Sequence, residues 1–305
     1  MDEIRVLAPA TVSNVVCGFD CLGFTVVEPF DEMVVRRIDE TEIRIVNRDD
    51  FGLPTDPKKN VAGVAIRALL DAVGEDLGFE IEINKHIKPS SGIGSSSASS
   101  CGAVVAANRL LEDRFSKLEL VRFAVEGEML ASGARHADNV APCIFGGFTL
   151  VRSIDPLDIV EIDFPPMFAT IIHPQIEIKT SEARAILPKQ VPLKDAVRNW
   201  SNLGAFVAAL AKGDHELMAR SMEDLIVEPA RKSLIPRFDE IKAECLAVGA
   251  ISGGISGSGP SIFMLSESLS VADEVEKAMQ EIYSQTSVEF NTYVSPIGRD
   301  GVRFQ

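Results

Sequence analysis

The residues best suited to bind phosphate lie in one short stretch, residues 89–100, whose sequence is PSSGIGSSSASS. Glycine lets the main chain approach an anion closely, and a serine hydroxyl can donate to phosphate or coordinate a magnesium ion. Where such a loop opens a helix, the first N–H groups of that helix are unpaired and carry partial positive charge. The stretch is therefore interpreted as a phosphate-binding loop, with a flexible linker as the alternative.

The segments on either side of this loop favour the phosphate interpretation. Phe79, Ile81 and Ile83 alternate with polar residues, which predicts a half-buried strand before the loop. Residues 103–111 are mostly apolar and favour a helix after the loop. The Walker pattern G-x-x-x-x-G-K-[ST] is absent, and no G-x-G-x-x-G opens a helix after a strand. Neither a Walker-type loop nor a dinucleotide-binding fold is therefore expected.

The composition limits the classes of partner. The chain has 305 residues, of which 46% are hydrophobic and 25% charged, as in a globular protein of about two domains. Its net charge of −15 repels nucleic acid and anionic membranes, so a phosphate site must be built locally from main-chain N–H groups, cations and metal. No apolar run reaches the roughly 20 residues of a membrane span, and the N-terminus lacks a secretory pattern. We therefore expect a cytoplasmic protein.

The cysteines predict free thiols. The chain has five, namely Cys17, Cys21, Cys101, Cys143 and Cys245, mostly among apolar or small residues. Two of them are four residues apart, but no second pair or nearby histidine completes a zinc site. Buried thiols in a reducing compartment are the expectation.

Periodicity divides the chain into helices and strands that do not alternate strictly. Residues 60–73 place apolar side chains on one helical face, and residues 143–151 are predicted to form a strand. Breaks in periodicity after the middle of the chain predict two domains, 1–155 and 156–305. The mixture of elements favours an α+β fold with mixed sheets.

Six motifs occur in the order in which one enzyme family carries them. They are APATVSN at 8–14 with GFD at 18–20, the loop at 89–100, HADNVAP at 136–142, TSEARAILP at 180–188, EPAR at 228–231 and GISGSGPSIF at 254–263. In these motifs the chain resembles the GHMP kinases, small-molecule kinases named for galactose, homoserine, mevalonate and phosphomevalonate. The resemblance extends from about residue 4 to the C-terminus, and two of the six motifs resemble the branch that acts on homoserine.

This resemblance implies both a fold and a reaction. The fold would be a two-domain α+β architecture, with an N-terminal half like the second domain of ribosomal protein S5 and a ferredoxin-like C-terminal half. ATP would be the co-substrate, Mg²⁺ the metal and L-homoserine the acceptor, giving O-phospho-L-homoserine on the route to threonine. The family also implies a homodimer.

The same resemblance assigns the nucleotide and metal residues. The loop would wrap the ATP phosphates, and Asn60 would lie near the adenine unless it serves only as a helix cap. Ser96 and Glu128 would be the magnesium ligands, since this ion prefers hard oxygen atoms. The implied ATP-binding residues are Asn60, Pro89, Ser90, Ser91, Gly92, Ile93, Gly94, Ser95, Ser96, Ser97, Ala98 and Ser99.

The implied homoserine residues match the two charges of that amino acid. Asp20 would accept the ammonium group. Arg184 and Arg231 would bind the carboxylate, which a guanidinium can hold through two parallel hydrogen bonds. Thr180 is implied at the same end of the substrate, and Asn14 would lie towards its hydroxyl.

The implied catalytic group contains no evident general base. By the resemblance, Asn14, His136 and Asn139 lie near the substrate hydroxyl. Mevalonate-type relatives carry an aspartate base where this chain has Asn139, and an amide does not accept a proton at neutral pH. Direct attack by the hydroxyl, oriented by Asn14 and Asn139, is therefore expected, with His136 or Asp138 as alternative bases.

Three other functions remain open from the sequence alone. A kinase of the same family acting on mevalonate would leave Asp20 without an ammonium partner. The diphosphate-decarboxylating branch, which consumes ATP on a similar scaffold, needs an acidic base that position 139 does not supply. A catalytically inactive binding protein would have no need of both Ser96 and Glu128.

Overall fold

The computed structural model describes residues 3–305, apart from the side chains of residues 180 and 181. Over this range the chain forms eleven β-strands in two sheets. In chain order the strands are β1 (Glu3–Ser13), β2 (Leu22–Ile38), β3 (Ile43–Asn47), β4 (Gly78–Asn84), β5 (Phe148–Ile154), β6 (Leu157–Ile162), β7 (Phe168–Pro174), β8 (Ser252–Ile255), β9 (Ile262–Ser266), β10 (Phe290–Pro296) and β11 (Arg303–Phe304).

Ten α-helices accompany the strands over the same range, and a 3-10 turn follows the eighth at Lys232–Leu234. In chain order they are α1 (Val61–Val73), α2 (Ser95–Leu110), α3 (Lys117–Ser132), α4 (Val140–Phe145), α5 (Thr180–Ala185), α6 (Leu193–Lys212), α7 (His215–Ser221), α8 (Glu228–Arg231), α9 (Phe238–Ala247) and α10 (Leu269–Ser284). Among the described residues, no helix is long and apolar enough to cross a membrane. The predicted α+β class is confirmed.

The first sheet holds seven strands and carries the phosphate loop. Its main path runs β11-β1-β2-β4-β3, and the hairpin β5–β6 joins it through β2. Neighbouring strands are antiparallel except β3 and β4, which α1 connects as a parallel pair. The loop leaves this sheet after β4 and opens α2, which packs against β1 and β2.

Strand β4, which leads into the loop, makes contacts on both of its faces. Its alternate residues Phe79, Ile81 and Ile83 are buried beneath the helices, as the sequence pattern predicts. Glu80 and Glu82 lie on the other face, where both contact the guanidinium of Arg36 on β2, at 3.2 and 3.1 Å. The strand is therefore fixed on both faces before the chain turns into the loop.

Helix α3 packs unusually closely against its neighbours through one glycine. A Cβ atom on Gly127 would lie 2.5 Å from both the Ser100 hydroxyl on α2 and the main-chain oxygen of Val61 on α1. Only glycine permits this approach without a rearrangement. The consequence is that Glu128, the next residue on α3, lies beside the first turn of α2.

The second sheet has the ferredoxin-like order that the family resemblance implies. Strands β7, β8, β9 and β10 form an antiparallel sheet in the order β10-β7-β9-β8. A helical segment ending in α9 connects β7 to β8, and α10 connects β9 to β10. This β-α-β-β-α-β arrangement confirms the predicted C-terminal architecture.

Aromatic side chains join the two sheets into a shared core. The Phe24 ring on β2 lies 4.9 Å from the ring of Phe148 on β5 and 5.6 Å from that of Phe263 on β9. Phe148 also contacts Phe206 on α6, at 6.2 Å between ring centroids. Because these rings are almost fully buried, the two halves are held in a defined relative position.

The predicted domain boundary falls in the turn of the β5–β6 hairpin. Both strands of this hairpin, the second ending at Ile162, belong to the first sheet. At the other end of the chain, β11 pairs back onto β1 and extends the same sheet. The division into 1–155 and 156–305 stays a prediction.

The cysteines are free thiols, as the sequence predicts. Burial raises the pKa of the Cys17 thiol to about 12 and that of the partly exposed Cys21 to about 11. Both thiols therefore stay protonated at neutral pH.

Candidate active site

One cleft of about 520 Å³ brings together most of the residues that the sequence singles out. Its walls come from the end of β1, the phosphate loop, the first turns of α2, the body of α3, the segments before α4 and α5, helices α5 and α8, and the third glycine-rich segment at 257–259. Those of its lining residues that the sequence predicts are Asn14, Asp20, Pro89, Ser90, Ser91, Gly92, Gly94, Ser95, Ser96, Ser99, Glu128, His136, Asn139, Arg184 and Arg231.

The phosphate loop is bent by residues in the left-handed region of backbone space. Ser90, Gly92 and Gly94 have φ values of 61°, 83° and 72°. Gly94 is the N-cap residue of α2 and, having no side chain, leaves the first N–H groups of the helix without a side-chain cap. Unpaired N–H groups and the helix dipole at the head of a helix favour the binding of an anion.

The third glycine-rich segment holds this loop in place. The Ser256 hydroxyl donates to the Gly92 carbonyl at 2.7 Å, and the Ser261 hydroxyl donates to the Ser91 carbonyl at 2.6 Å. A Cβ atom on Gly92 would lie 2.7 Å from the carbonyl oxygen of Gly259. Two carbonyl groups of the loop are thus bonded to this segment, and the buried Ser91 hydroxyl has no partner among the described residues.

A buried ion pair between Lys85 and Asp31 contacts the end of the loop and the first turn of α2. Lys85 Nζ contacts the Asp31 carboxylate at 2.5 Å and also donates to the Ser95 carbonyl and the Ser99 hydroxyl, at 2.9 and 2.8 Å. The other Asp31 oxygen accepts the main-chain N–H groups of residues 86 and 87. Because both charges are buried and paired, removing either one would leave a costly isolated charge.

Glu128 joins the first turn of α2 through two serine hydroxyls. Ser96 donates to both carboxylate oxygens, at 3.1 and 2.9 Å, and Ser97 donates to one of them at 2.7 Å. The carboxylate is almost fully buried at the positive end of the helix. A hydroxyl and a carboxylate at the edge of a phosphate site are hard oxygen donors that fit Mg²⁺.

No group of three or more carboxylate, histidine or cysteine side chains able to hold a metal occurs among the described residues. This fits a metal that the protein shares with a bound nucleotide. Mg²⁺ commonly takes one or two protein ligands and completes its coordination with phosphate and water. The oxygen atoms of Ser96 and Glu128 fit a contribution of this size.

The part of the cleft lined by Asp20, α5 and α8 has charged groups of both signs. The Arg184 guanidinium on α5 donates to both oxygens of Asp20, at 3.0 and 3.2 Å. The same guanidinium lies 3.1 Å from His136 Nε2. Because a guanidinium only donates, this Nε2 must be the unprotonated nitrogen, which places the imidazole proton on Nδ1. His136 Nδ1 faces Asp20 at 3.6 Å.

Arg231 is the second cation at this end, and it is almost fully buried. Its Nε donates to the Ala183 carbonyl and its Nη1 to the Gly257 carbonyl, both at 3.1 Å. Burial, and then the charge of Arg184, lower the pKa of the Arg231 guanidinium from its usual high value. With two donors bonded to main-chain oxygens, the guanidinium is fixed where it lines the cleft.

The two predicted asparagines are oriented by different networks. Asn14, with φ 67°, donates to the Gly257 carbonyl at 2.7 Å and accepts from the Asp20 N–H at 2.9 Å. Asn139 accepts from the Thr11 hydroxyl at 2.8 Å and donates to the Ser13 hydroxyl at 2.9 Å. An amide nitrogen carries two N–H groups, and this network uses one of those of Asn139.

Sequence reasoning missed Thr11 and Ser13 as supports of Asn139. Both lie on β1, two residues apart and therefore on the same face of the strand. Their position within the APATVSN motif is the signal that could have identified them. Two hydroxyls facing one way at the end of an otherwise buried, apolar strand need polar partners.

Asp138 is a buried carboxyl that also lines the cleft. Burial, together with the charges of Asp20 and Glu128, raises its pKa to about 7, while a hydrogen bond from Ser13 acts in the opposite direction. The native protein therefore holds a proton on Asp138 over a pH range in which the unfolded chain has lost it.

Replacing Asp138 by asparagine is expected to remove the contribution of this carboxyl to the pH dependence of the free energy of unfolding. Between pH 4 and 7 the native carboxyl is protonated and the unfolded one, with a pKa near 3.8, is not. The stability of the parent should therefore fall as pH rises, by up to about 1.4 kcal/mol per pH unit from this group. Urea unfolding at pH 5 and pH 8 should show a larger stability gain for the variant at pH 8. A pH-independent difference between the two proteins would contradict the raised pKa.

Several predicted residues lie away from the cleft wall. Asn60 caps α1, where its side chain accepts from the Ala62 N–H at 3.0 Å and donates to the Pro54 carbonyl at 2.8 Å, while Leu53 and Val61 line the cleft. The adenine role of Asn60 stays a prediction. Three loop residues, Ile93, Ser97 and Ala98, are buried behind the wall. The side chain of Thr180 lies outside the described residues.

Comparison with known proteins identifies the class to which this fold and cleft belong. A family model described as GHMP kinases N terminal domain matches residues 60–147, and one described as GHMP kinases C terminal matches residues 206–285. Together the two models cover more than half of the chain. The chain therefore belongs to the GHMP kinase family.

Within that family, the chain groups with the homoserine kinases. It is 44% identical to "Homoserine kinase" of Chloroherpeton thalassium, with 99% of each chain covered. It is 40% identical to the homoserine kinase of Pyrococcus furiosus, with 97% of this chain and 98% of the relative covered. The crystal structure of homoserine kinase from Cytophaga hutchinsonii superimposes with a TM-score of 0.96 at 47% identity, covering 100% and 98% of the two chains.

More distant members share the fold alone. Mevalonate kinase from L. major, solved in complex with R-mevalonate, is 17% identical to this chain with a TM-score of 0.71, and 95% of each chain is covered. At this identity the similarity carries no information about the substrate of the chain described here. It does confirm the two-domain architecture that the six motifs predict.

Proposed function

We propose that the protein transfers the γ-phosphoryl group of ATP to the side-chain hydroxyl of L-homoserine, giving ADP and O-phospho-L-homoserine for threonine synthesis. The observation that carries this proposal is the pairing of two sites in one cleft. A helix-opening anion loop forms one end, and Asp20, Arg184 and Arg231 form the other. The second end offers one anion and two cations, which complement the ammonium and carboxylate of an amino acid.

The nucleotide end would hold ATP through main-chain N–H groups at the head of α2. Ser96 and Glu128 would hold a Mg²⁺ ion against the terminal phosphates. When bound, the ion neutralises charge that builds up on the phosphate oxygens during transfer. The acidic net charge of the protein makes this local supply of positive potential necessary.

The acceptor end would orient the hydroxyl for in-line attack. The free N–H of Asn139 and the amide of Asn14 would position the hydroxyl oxygen. That oxygen forms a bond to the γ-phosphorus as the bond from phosphorus to the β,γ-bridging oxygen breaks, and the electron pair leaves on ADP. The hydroxyl proton passes to an oxygen of the transferred phosphoryl group, so no protein base is consumed.

Asp138 is the alternative proton acceptor favoured by its position in the cleft. Its pKa of about 7 would leave it partly ionised at neutral pH. His136 is less suited, because in this structure its unprotonated nitrogen already accepts from Arg184. Turnover by Asp138→Asn distinguishes the two schemes: a value near that of the parent supports direct transfer, and a loss that persists at every pH supports a base.

Replacing Arg184 by alanine is expected to weaken homoserine use and leave ATP use unchanged. A charge-assisted contact is worth about 1.5–3 kcal/mol, so kcat/KM for L-homoserine should fall roughly 10- to 150-fold. The matched control is Arg198→Ala, an exposed arginine of α6 that pairs with Glu223. A rise in KM for ATP equal to that for homoserine would contradict the assignment.

A substrate panel tests the proposed function directly. ADP release would be measured with L-homoserine, L-serine, mevalonate and galactose, each at saturating ATP and Mg²⁺. We expect L-homoserine to give the highest kcat/KM, because it alone combines both charges with a hydroxyl at the right distance. Preference for mevalonate would overturn the choice of acceptor, and ATP binding without turnover of any substrate would indicate a binding protein. The homodimer and the cytoplasmic location stay predictions.

A further inference from the structure

The ring of Phe19 contacts both arginines of the acceptor end, Arg184 and Arg231. The guanidinium carbon of Arg231 lies 5.1 Å from the ring centroid of Phe19, and that of Arg184 lies 5.6 Å from the same centroid. Both distances are within the range in which a cation is attracted to the electron-rich face of a ring. The two guanidinium groups come from different helices, α5 and α8, so the chain itself does not set their spacing.

Phe19 belongs to a turn that several hydrogen bonds hold in place. Asp20, the next residue, has φ 58°, a left-handed conformation that is uncommon for residues other than glycine, asparagine and aspartate. Its N–H is bonded to Asn14 Oδ1, and the N–H groups of Cys21 and Leu22 donate to the Gly18 carbonyl at 3.1 and 2.9 Å. Phe19 is therefore presented from a fixed backbone.

The contact with the ring differs in kind from the other contacts of the two arginines. Like charges held close together repel, and the charge of Arg184 contributes to the lowered pKa of Arg231. The face of an aromatic ring attracts both cations without using any N–H donor. It therefore stabilises the pair without occupying any of the N–H groups that could bind a carboxylate.

Asp20 does not supply this support once substrate is bound. In the structure its carboxylate pairs with Arg184. In the proposed complex the same carboxylate accepts the ammonium group of homoserine, so its hold on Arg184 weakens. The ring contact does not compete with the ammonium group or with the carboxylate of the substrate.

We propose that Phe19 is a positioning residue that fixes the spacing of Arg184 and Arg231 and thereby sets the preference for an acceptor with a carboxylate. This inference rests on the proposed function, because it assigns a support to the same acceptor end. Tyrosine at position 19 keeps the ring face, whereas leucine and methionine keep apolar bulk and lose it.

Steady-state kinetics with two acceptors test the inference. The acceptors are L-homoserine and 3-amino-1-propanol, which is homoserine without its carboxylate. For Phe19→Leu and Phe19→Met we expect kcat/KM for L-homoserine to fall roughly 5- to 30-fold, the range for losing cation–π contacts. The KM for ATP and the kcat/KM for 3-amino-1-propanol should stay at the parent values, and Phe19→Tyr should behave like the parent.

The control is Phe304→Leu, which removes an exposed ring that contacts Arg109 4.6 Å away and does not line the cleft. Equal losses with both acceptors would show that the ring only supports the turn, and unchanged homoserine kinetics would show that it does nothing specific; either overturns the inference. If Phe19→Leu does not fold, the inference is tested by comparing the kinetics of Phe19→Met with those of Phe19→Tyr. No turnover of L-homoserine by the parent would overturn the proposed function and this inference together.

Discussion

Replacing Glu128 by glutamine is expected to lower kcat about 100- to 1000-fold with little change in the fold, as for loss of one charge-stabilising group at a transition state. The carboxylate accepts from Ser96 and Ser97 at the head of α2. An amide can still bond to both hydroxyls, so the packing of α3 on α2 should persist. What disappears is the negative charge and one of the two carboxylate oxygens, and the amide oxygen that remains is a weaker, uncharged ligand for the proposed Mg²⁺.

The measurement is kcat for ADP release at saturating ATP and L-homoserine, with Mg²⁺ varied. Glu126→Gln is the matched control, since Glu126 lies on the same helix and pairs with Arg135 on the surface. We expect the control to keep parent activity. A Glu128→Gln variant with parent kcat and parent Mg²⁺ dependence would remove Glu128 from the metal site.

Replacing Gly94 by alanine is the second change with a large expected effect. The residue has φ 72°, and its new Cβ would overlap the Thr11 hydroxyl and lie 3.1 Å from Asn139 Oδ1. Thr11 is the donor that orients Asn139. The substitution therefore displaces the phosphate loop or breaks the support of Asn139. Misplacement of reacting groups by about 1 Å can cost 100-fold, and we expect a loss of at least that size in kcat/KM.

Gly74→Ala is the control that distinguishes the effect of steric overlap with Thr11 from the effect of backbone strain. Gly74 caps α1 with φ 71°, almost the same conformation, but a Cβ there meets nothing within 4 Å. Both variants should lose about 1–2 kcal/mol of stability from the left-handed conformation. Only Gly94→Ala should lose activity, as measured by kinetics together with thermal unfolding. Equal activity of the two variants would contradict the described contact between the loop and β1.

Local patterns predicted the strand and the helix on either side of the glycine–serine loop correctly, because these elements are adjacent in sequence. The alternation at Phe79, Ile81 and Ile83 and the glycine–serine run define a strand, a loop and a helix within some thirty residues. The structure has this order, with α2 beginning at Ser95. The anion site proposed here depends mainly on main-chain N–H groups, so composition and element order suffice to predict it.

The prediction of a strand over residues 143–151 was wrong in its first part. The segment Val140–Phe145 forms α4, and the strand begins only at Phe148. A run of apolar residues of this length is compatible with either element, and packing decides. Here Pro142 lies in the first turn of the helix, where its missing N–H has no cost.

The acceptor end could not be derived from spacing. Asp20 and Arg184 are 164 residues apart in sequence and meet only through the packing of the second half on the first. Thr11 and Asn139, 128 residues apart, are another such pair. These contacts depend on the tertiary fold, so only the family resemblance placed Asp20, Arg184 and Asn139 in one site before the structure did.

The most direct test of the proposed function is a crystal structure with a non-hydrolysable ATP analogue, Mg²⁺ and L-homoserine. We expect the terminal phosphate on the N–H groups at the head of α2, the ammonium group on Asp20 and the carboxylate between Arg184 and Arg231. A triphosphate bound outside the loop at 89–100, or an amino acid bound away from both arginines, would contradict it.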